Sequence, residues 1–284
     1  MKIGKYNIYP VETGKFKLDG GAMFGIIPKA LWTKTNPADE QNRVQLYARC
    51  LLLVSDSKKI LIDTGMGSKW DDKSRAIYEL EDKENSLKDS LAELGYGFSD
   101  ITHAILTHLH FDHTGGPVEL QNGKMVPAFP NAKYYVQKKN YEWGMNPTER
   151  DRGSYLKENF LPLYDEGVLN FTNGEERFDD NIEFLIANGH TFSQQLVKIS
   201  DGSQTLLYAG DLVPFSSHLR LSYIMGYDLQ PLETLKEKKR ILQKAHEEDW
   251  SLFFEHDPFT PCVKLGADNK GYFIKENIGF NGRS

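Results

Sequence analysis

The sequence HLHFDH at residues 108–113 brings three imidazoles and one carboxylate together within six positions. His108 and His110 are two residues apart, so at the end of a strand both side chains can project toward one ion. Asp112 and His113 come after the backbone has turned and can face a second ion nearby. Imidazole and carboxylate ligands without thiolate are typical of an open, catalytic zinc site and not of a closed structural one. The stretch therefore predicts a catalytic centre for two metal ions.

Three further candidate ligands, His190, Asp211 and His256, lie where apolar strand patterns end. The strand-like runs that precede them are residues 182–187, 205–209 and 251–255. The cluster itself follows the apolar run at 101–107, which has the length and branching of a buried strand. Polar groups at such strand ends are candidates for an active site, and a cluster of four ligands needs partners. These three residues are therefore the best placed to complete the metal site.

The sequence THLHFDHTGG at 107–116 resembles the signature of the metallo-β-lactamase superfamily. Further elements of that pattern follow in the expected order, at Gly189-His190, Gly210-Asp211 and Glu255-His256. Asp63-Thr64-Gly65 is similar to the early aspartate and glycine turn that supports the metal site. Within the superfamily, the chain is most similar to the branch of the acyl-homoserine lactonases and methyl parathion hydrolases.

The resemblance implies an α+β fold, a four-layer αββα sandwich with the metal ions at the sheet edge. It implies two zinc ions per chain, with manganese, iron or cobalt as alternatives. The first ion is expected on His108, His110 and His190, and the second on Asp112, His113 and His256. Asp211 is expected to bridge both ions together with a hydroxide, and Asp63 to support the ligands from behind. Asp112, beside that hydroxide, is the expected proton shuttle.

The implied reaction is hydrolysis of a lactone or other ester of a small molecule, with a phosphotriesterase or arylesterase activity as the alternative. The lactonases of this branch carry an assisting tyrosine shortly after the bridging aspartate, whereas this chain has Pro214 there. Tyr223 or Tyr227 is the candidate to replace it. Two other classes stay open: a sulfur dioxygenase with one iron, which would not need Asp112 and His256 as ligands, and a non-catalytic metal-binding module.

Further residues are candidates to line the substrate pocket. Besides the two tyrosines, these are Phe24, Trp32, Phe215 and His218. The apolar, glycine-hinged stretch at 20–28 predicts either a lid over the pocket or a contact between two copies of the chain in a homodimer.

Composition narrows the classes of partner. The chain has 284 residues and a formal net charge of -6, a balance that argues against a nucleic-acid partner, because nucleic-acid binding usually shows a basic patch or stripe. No apolar run of transmembrane or signal-peptide length occurs, so we expect a cytoplasmic protein that acts on a small molecule without a membrane. Cys50 and Cys262 lie in apolar contexts and are expected to be buried free thiols.

The remaining patterns predict a single domain over residues 1–284 with an insertion around 140–180. Strands are expected at 49–54 and 60–63, joined as a hairpin, and at 195–199. Helices are expected around Leu87–Leu94, after the Thr114-Gly115-Gly116 turn, and at Pro231–His246.

Overall fold

The computed structural model of the protein describes residues 1–80 and 86–280. Within these residues the chain forms fifteen strands, which are β1 (Lys2–Ile3), β2 (Tyr6–Asp19), β3 (Arg43–Val54), β4 (Lys59–Ile62), β5 (His103–Ile105), β6 (Val118–Gln121), β7 (Lys124–Pro127), β8 (Lys133–Gln137), β9 (Leu169–Thr172), β10 (Ile182–Ala187), β11 (Gln194–Ser200), β12 (Thr205–Tyr208), β13 (Ser251–Phe253), β14 (Cys262–Asp268) and β15 (Gly271–Asn277).

The same residues form seven α-helices, which are α1 (Gly20–Phe24), α2 (Lys29–Trp32), α3 (Asp72–Tyr78), α4 (Ser86–Glu93), α5 (Lys138–Met145), α6 (Leu161–Asp165) and α7 (Pro231–Glu247). Short 3₁₀ helices lie at Phe98–Asp100, Arg152–Ser154, Lys157–Asn159, Gly210–Leu212 and Ser216–Leu219. No helix of the described residues combines the length and the apolar character that crossing a bilayer needs.

Two large sheets stack face to face. In the described residues the first sheet has the strand order β1-β2-β3-β4-β5-β8-β9, and β4, β5, β8 and β9 run parallel. The second sheet has the order β10-β11-β12-β13-β14-β15, and β12 and β13 run parallel. Parallel neighbours bring several carboxyl ends to one edge of each sheet, which is where the candidate ligands follow.

Alternation along the strands explains the layers. In β3, Leu51 and Leu53 pack between the sheets, whereas Cys50 and Leu52 face outward into a second core. Successive side chains of a strand point to opposite faces, so a strand buried on both faces is apolar throughout. Helix α4 packs against the outer face of the first sheet. Helix α7 packs against the outer face of the second sheet through Ile241 and Leu242. The predicted four-layer αββα arrangement is therefore confirmed.

One predicted helix is wrong. The residues after Thr114-Gly115-Gly116 form the β6–β7 hairpin and no helix. Gly115 instead lies against the 65–67 turn, where its N–H donates to the carbonyl of Gly65 at 2.7 Å. A Cβ on Gly115 would come within 1.8 Å of the Met66 carbonyl oxygen. The glycine at position 115 therefore lets two loops pack closely against each other, next to the 108–113 cluster.

The predicted helix at 231–246 and the predicted buried free thiols are confirmed, whereas the insertion around 140–180 stays a prediction. The 140–180 segment forms α5, α6 and β9, and β9 extends the first sheet at its edge. Helix α7 covers the predicted range and ends one residue later. Cys50 and Cys262 are both free and buried.

Candidate metal centre

All candidate ligands follow strands that end at one edge of the sandwich. The cluster at 108–113 comes after β5, His190 after β10, Asp211 after β12 and His256 after β13. Backbone hydrogen bonds between the two sheets hold this edge together. The N–H of Tyr47 in β3 donates to the carbonyl of His256 at 3.1 Å, and the N–H of Gln195 in β11 donates to the carbonyl of Thr107 at 2.9 Å.

A first group contains His108, His110, His190 and Asp211, whose candidate ligand atoms all lie within 4.8 Å of one another. Nδ1 of His110 lies 3.1 Å from Nε2 of His108 and 3.0 Å from Nε2 of His190. Oδ2 of Asp211 lies 3.1 Å from Nε2 of His190. The four side chains are buried. Three nitrogens and one oxygen thus converge on one point.

A second group contains Asp112, His113 and His256, again with the ligand atoms within 4.8 Å of one another. The two Nε2 atoms of His113 and His256 are 3.2 Å apart. Each also lies 3.8 Å from an Asp112 oxygen. These are the three residues that the resemblance assigns to a second ion.

Asp211 belongs to both groups. Its Oδ2 faces the first, and its Oδ1 lies 3.1 Å from Nε2 of His256 and 3.5 Å from Nε2 of His113. Although Oδ1 is buried, it accepts no hydrogen bond from the described residues. Such an orphaned carboxylate oxygen is costly in a protein interior unless a cation satisfies it.

The outer ring nitrogens face acceptors. Nδ1 of His190 lies 2.9 Å from Oδ1 of Asp228, and Nδ1 of His256 lies 2.8 Å from the Tyr47 carbonyl oxygen. Nδ1 of His113 lies 3.1 Å from Oδ2 of Asp63. An acceptor at Nδ1 holds the proton of a neutral imidazole there, so the lone pair is on Nε2.

The tautomers provide a test of whether metal ions fit. In the neutral form that binds a metal, with the proton on Nδ1, His113 and His256 turn two Nε2 lone pairs toward each other at 3.2 Å. Nε2 of His190 faces the first group in the same way. Facing lone pairs repel, and a shared cation removes the repulsion. The donor set fits two divalent ions of the zinc type.

Asp63 holds the cluster from behind. Its Oδ1 accepts from the N–H of Thr107 and its Oδ2 from the Thr107 hydroxyl, both at 2.7 Å. Asp63 has a φ of 56°, an uncommon conformation for a residue other than glycine. The strained backbone directs its carboxylate at both Thr107 and His113, and its support of a metal site stays a prediction.

Helix α7 supports His190 through polar residues that sequence reasoning missed. The Thr234 hydroxyl donates to Oδ2 of Asp228 at 2.8 Å. The Glu237 carboxylate accepts from the N–H groups of Asn188 and Gly189 at 2.7 and 3.0 Å. Both side chains are buried although they lie on a helix whose pattern is otherwise amphipathic. The helix therefore fixes the backbone that precedes His190.

Carboxylates make the second group attractive to positive charge. Burial lowers the pKa of His256, but Asp211 and Glu255 outweigh it and raise that pKa to about 9. Burial likewise lowers the pKa of His113, whereas Glu255 and Asp211 raise it well above its ordinary value. Burial raises the pKa of Glu255 to about 7. Divalent ions supply the positive charge that this carboxylate-rich centre favours.

A cavity of about 280 Å³ opens onto both groups. Its polar floor includes His110, Asp112, His190, Asp211 and His256. Its walls are largely apolar and include Leu18, Met23, Leu46, Phe111, Met225 and Leu229. Polar wall residues are Tyr78, Arg150, Asp151, Ser154 and Tyr227. The cavity can therefore hold a small molecule with an apolar portion next to a reacting polar bond.

Of the six predicted pocket residues, Tyr227 lines this cavity. Phe24, Trp32, Phe215, His218 and Tyr223 do not line it and are buried in an aromatic cluster. Phe24 is stacked on Trp32 with 4.9 Å between ring centroids. Aromatic side chains are more stable when they pack together than when they face water, so these five residues form part of the hydrophobic core.

The buried His218 shows what this cluster does. Its Nε2 lies 3.0 Å from the carbonyl oxygen of Met23, a cavity residue. Burial lowers the pKa of His218 to about 3, so the ring is neutral and can donate to that carbonyl. His218 thus fixes α1 beside the cavity and does not reach it.

The sequence profile of the metallo-beta-lactamase superfamily matches residues 44–256, a span that includes every candidate ligand. The chain belongs to the metallo-beta-lactamase superfamily. Within it, an N-acyl homoserine lactonase of Bacillus thuringiensis is 28% identical over 228 residues, which cover 73% of this chain and 80% of the lactonase.

Two solved structures share the fold of this chain. A probable metal-dependent hydrolase from Staphylococcus aureus superposes with a TM-score of 0.87 at 27% identity, over 98% of this chain and 100% of the other. AidC, a dizinc quorum-quenching lactonase solved with a product, N-hexanoyl-L-homoserine, gives a TM-score of 0.82 at 22% identity, over 99% and 97%. The second likeness shows the fold alone. The predicted family and the predicted class, a metal-dependent hydrolase, are confirmed.

Proposed function

We propose that the protein is a di-zinc hydrolase that cleaves a lactone or another ester of a small molecule. The observation that carries the proposal is Asp211, whose two carboxylate oxygens face two separate groups of inward-directed imidazole nitrogens. The lactonase relatives support the choice of bond. A cavity with a polar floor and apolar walls supports a substrate that has an apolar substituent.

In this proposal His108, His110 and His190 hold one ion, and Asp112, His113 and His256 hold the other. Asp211 contributes one oxygen to each. When bound, two such ions lower the pKa of a shared water and polarise the substrate carbonyl as Lewis acids. The rest of the catalytic work falls to side chains of the chain itself.

Asp112 is the proposed proton carrier. It lines the cavity and is only 8% exposed, so bulk water competes little for its protons. A carboxylate in this position can accept the proton that the attacking water releases and donate it to the leaving oxygen. The transfer lets an alkoxide leave as an alcohol.

Tyr227 is the proposed hydrogen-bond donor to the substrate. It lines the cavity, whereas Tyr223 accepts from Nη1 of Arg220 at 3.3 Å within the aromatic cluster. Burial raises the pKa of the Tyr227 hydroxyl, which keeps its proton at neutral pH. Tyr227 therefore takes the part that Pro214 cannot play.

Metal analysis and a substrate panel test the proposal together. Protein loaded with zinc or manganese should bind about two ions per chain and hydrolyse acyl-homoserine lactones or related esters. One tightly bound iron with oxygen uptake would instead move the protein to the dioxygenase class. Turnover of aryl esters or phosphotriesters with no turnover of lactones of any chain length would favour the arylesterase or phosphotriesterase alternative.

A further inference from the structure

The cavity wall carries a positive charge that the hydrolytic mechanism does not use. Among the described residues that line the cavity, Arg150 is the one with a guanidinium or ammonium side chain. It is exposed, whereas Asp211 on the cavity floor is buried. Arg150 therefore lies on the solvent-exposed side of the cavity, whereas the candidate ligands are buried.

Backbone carbonyls fix the position of this guanidinium. Nη2 of Arg150 donates to the Gly226 carbonyl oxygen at 2.7 Å and to that of Asp228 at 3.3 Å. Gly226, Tyr227 and Leu229 of the same segment also line the cavity. The charged end of Arg150 thus lies against the cavity wall, and little side-chain entropy is left to lose on binding a ligand.

The charge has no protein counter-ion in the described part of the chain, where no carboxylate oxygen lies within 4.0 Å of Arg150. The neighbouring Asp151 is engaged elsewhere, since its Oδ2 accepts from Nε1 of Trp143 at 2.7 Å and its Oδ1 from the Thr148 hydroxyl at 2.8 Å. A guanidinium has five N–H donors, and the two on Nη2 point at carbonyls. Three donors remain for a ligand.

We propose that Arg150 is a specificity residue that binds a carboxylate on the substrate, at the end remote from the bond that is cleaved. The inference rests on the proposed hydrolase function and adds a substrate class to it, namely lactones or esters that carry a free carboxylate. A charge-assisted hydrogen bond to a positioned guanidinium favours such a group over a neutral one.

Equilibrium binding tests the inference without turnover. The probes are straight-chain α,ω-dicarboxylates of increasing length, each compared with the monocarboxylate of equal length, titrated calorimetrically into zinc-loaded protein. One carboxylate of each probe imitates the acid product. We expect one length of dicarboxylate to bind at least about tenfold tighter than its monocarboxylate. Arg150→Met should remove that difference, and Arg150→Lys should restore part of it.

Arg152→Met is the matched control, because Arg152 is exposed, close in sequence and absent from the cavity wall. It should preserve the difference between the two probes. A difference that survives in Arg150→Met, or that no length shows in the wild type, would overturn the inference. Equal loss for both probes would also overturn it, since it would mean that Arg150 only anchors the 226–228 segment.

Kinetics separate this inference from the proposed function. If the wild type cleaves esters, Arg150→Met should raise KM about tenfold for a carboxylated ester and leave KM of its methyl-capped analogue within about twofold. If no ester or lactone is cleaved while dicarboxylates still bind through Arg150, the hydrolase proposal fails and the carboxylate site stands. If both esters are cleaved with equal KM in both proteins, only the carboxylate site fails.

Discussion

Nδ1 of His190 lies 2.9 Å from Oδ1 of Asp228, and the other oxygen of Asp228 accepts from the Thr234 hydroxyl at 2.8 Å. A residue of helix α7 thus orients a candidate ligand through one intermediate. His190 has no other fixed acceptor for its Nδ1 proton among the described residues. The tautomer of His190 therefore depends on Asp228, and so does the arrangement of lone pairs in the first group of candidate ligands.

Removing this carboxylate should weaken the first site selectively. We expect Asp228→Ala to lower the affinity for one of the two zinc ions about 10- to 100-fold. Asp228→Asn keeps an oxygen that can accept the hydrogen bond, so its zinc affinity should fall less than that of Asp228→Ala. Competition with a chromophoric chelator would measure both affinities. Asp56→Asn, at an exposed aspartate in a turn, is the control. Unchanged zinc affinity in Asp228→Ala would show that the pair does not orient the ligand.

The two acidic candidate ligands should behave differently when neutralised. Asp211→Asn should lower bound zinc from about two ions per chain to one or fewer and abolish turnover, since Asp211 faces both groups. Asp112→Asn should keep more of its metal than of its rate, because we assign Asp112 the proton transfer. Atomic emission on dialysed protein, with kcat on the same samples, would decide. An Asp112→Asn variant that loses metal and rate in equal measure would refute the shuttle.

Chelation should lower thermal stability. Ions that bind only the folded chain stabilise it, by about 2.7 kcal/mol for each site at a hundredfold excess over Kd. We expect EDTA to lower Tm by at least about 5 °C and added zinc to restore it. Scanning calorimetry would measure this, with Asp211→Asn as the control. Because this variant should bind one ion or fewer, its Tm should fall by at most about half as much as that of the wild type. A wild-type Tm that EDTA leaves unchanged would contradict the assigned centre.

Lys238 should make the stability of the folded protein increase with pH. The side chain is buried, and its Nζ donates to the carbonyls of Arg220 at 3.0 Å and Tyr223 at 2.6 Å. Burial lowers the pKa of Lys238 from 10.5 to about 7. Above pH 7 the unfolded chain therefore holds a proton that the folded chain has lost. The contribution of Lys238 to the free energy of unfolding therefore rises as the pH goes from 7 toward 10.5, with a slope of up to about 1.4 kcal/mol per pH unit.

Urea unfolding of the zinc-free protein at several pH values between 7 and 10 would measure that slope. Lys238→Met should lose this part of the pH dependence, whereas Lys239→Met, at its exposed neighbour on α7, should keep it. If the two variants and the wild type share one slope, Lys238 is charged in the folded protein across this range.

The candidate ligands could be predicted from the sequence because they are polar residues at or just after the end of an apolar run. His190, Asp211 and His256 were predicted because strand ends meet at an edge and because the 108–113 cluster needs partners, and the structure brings all three together with the cluster. Their roles as ligands remain predictions that the metal analysis tests.

The cavity wall was harder to predict, for physical reasons. Phe24 and Trp32 have the composition of a pocket and equally that of a core, and only the packed chain shows that they stack on each other. Arg150 lies in an irregular segment where no period constrains its direction. Asp228 acts through a contact 38 residues away in sequence, for which a single sequence carries no signal.

The candidate ligands lie at strand ends, whereas the cavity wall is built mainly from loops and short helices. The residues of the site therefore fall into two sets that can change independently during evolution. Substitutions in α1, α3 and the 150–154 segment can alter which molecule fits while leaving the candidate ligands in place. The 225–229 segment is the exception, because it lines the cavity and also carries Asp228. Selection for new substrates should therefore accumulate changes around Arg150 and Tyr78 long before it touches Asp228.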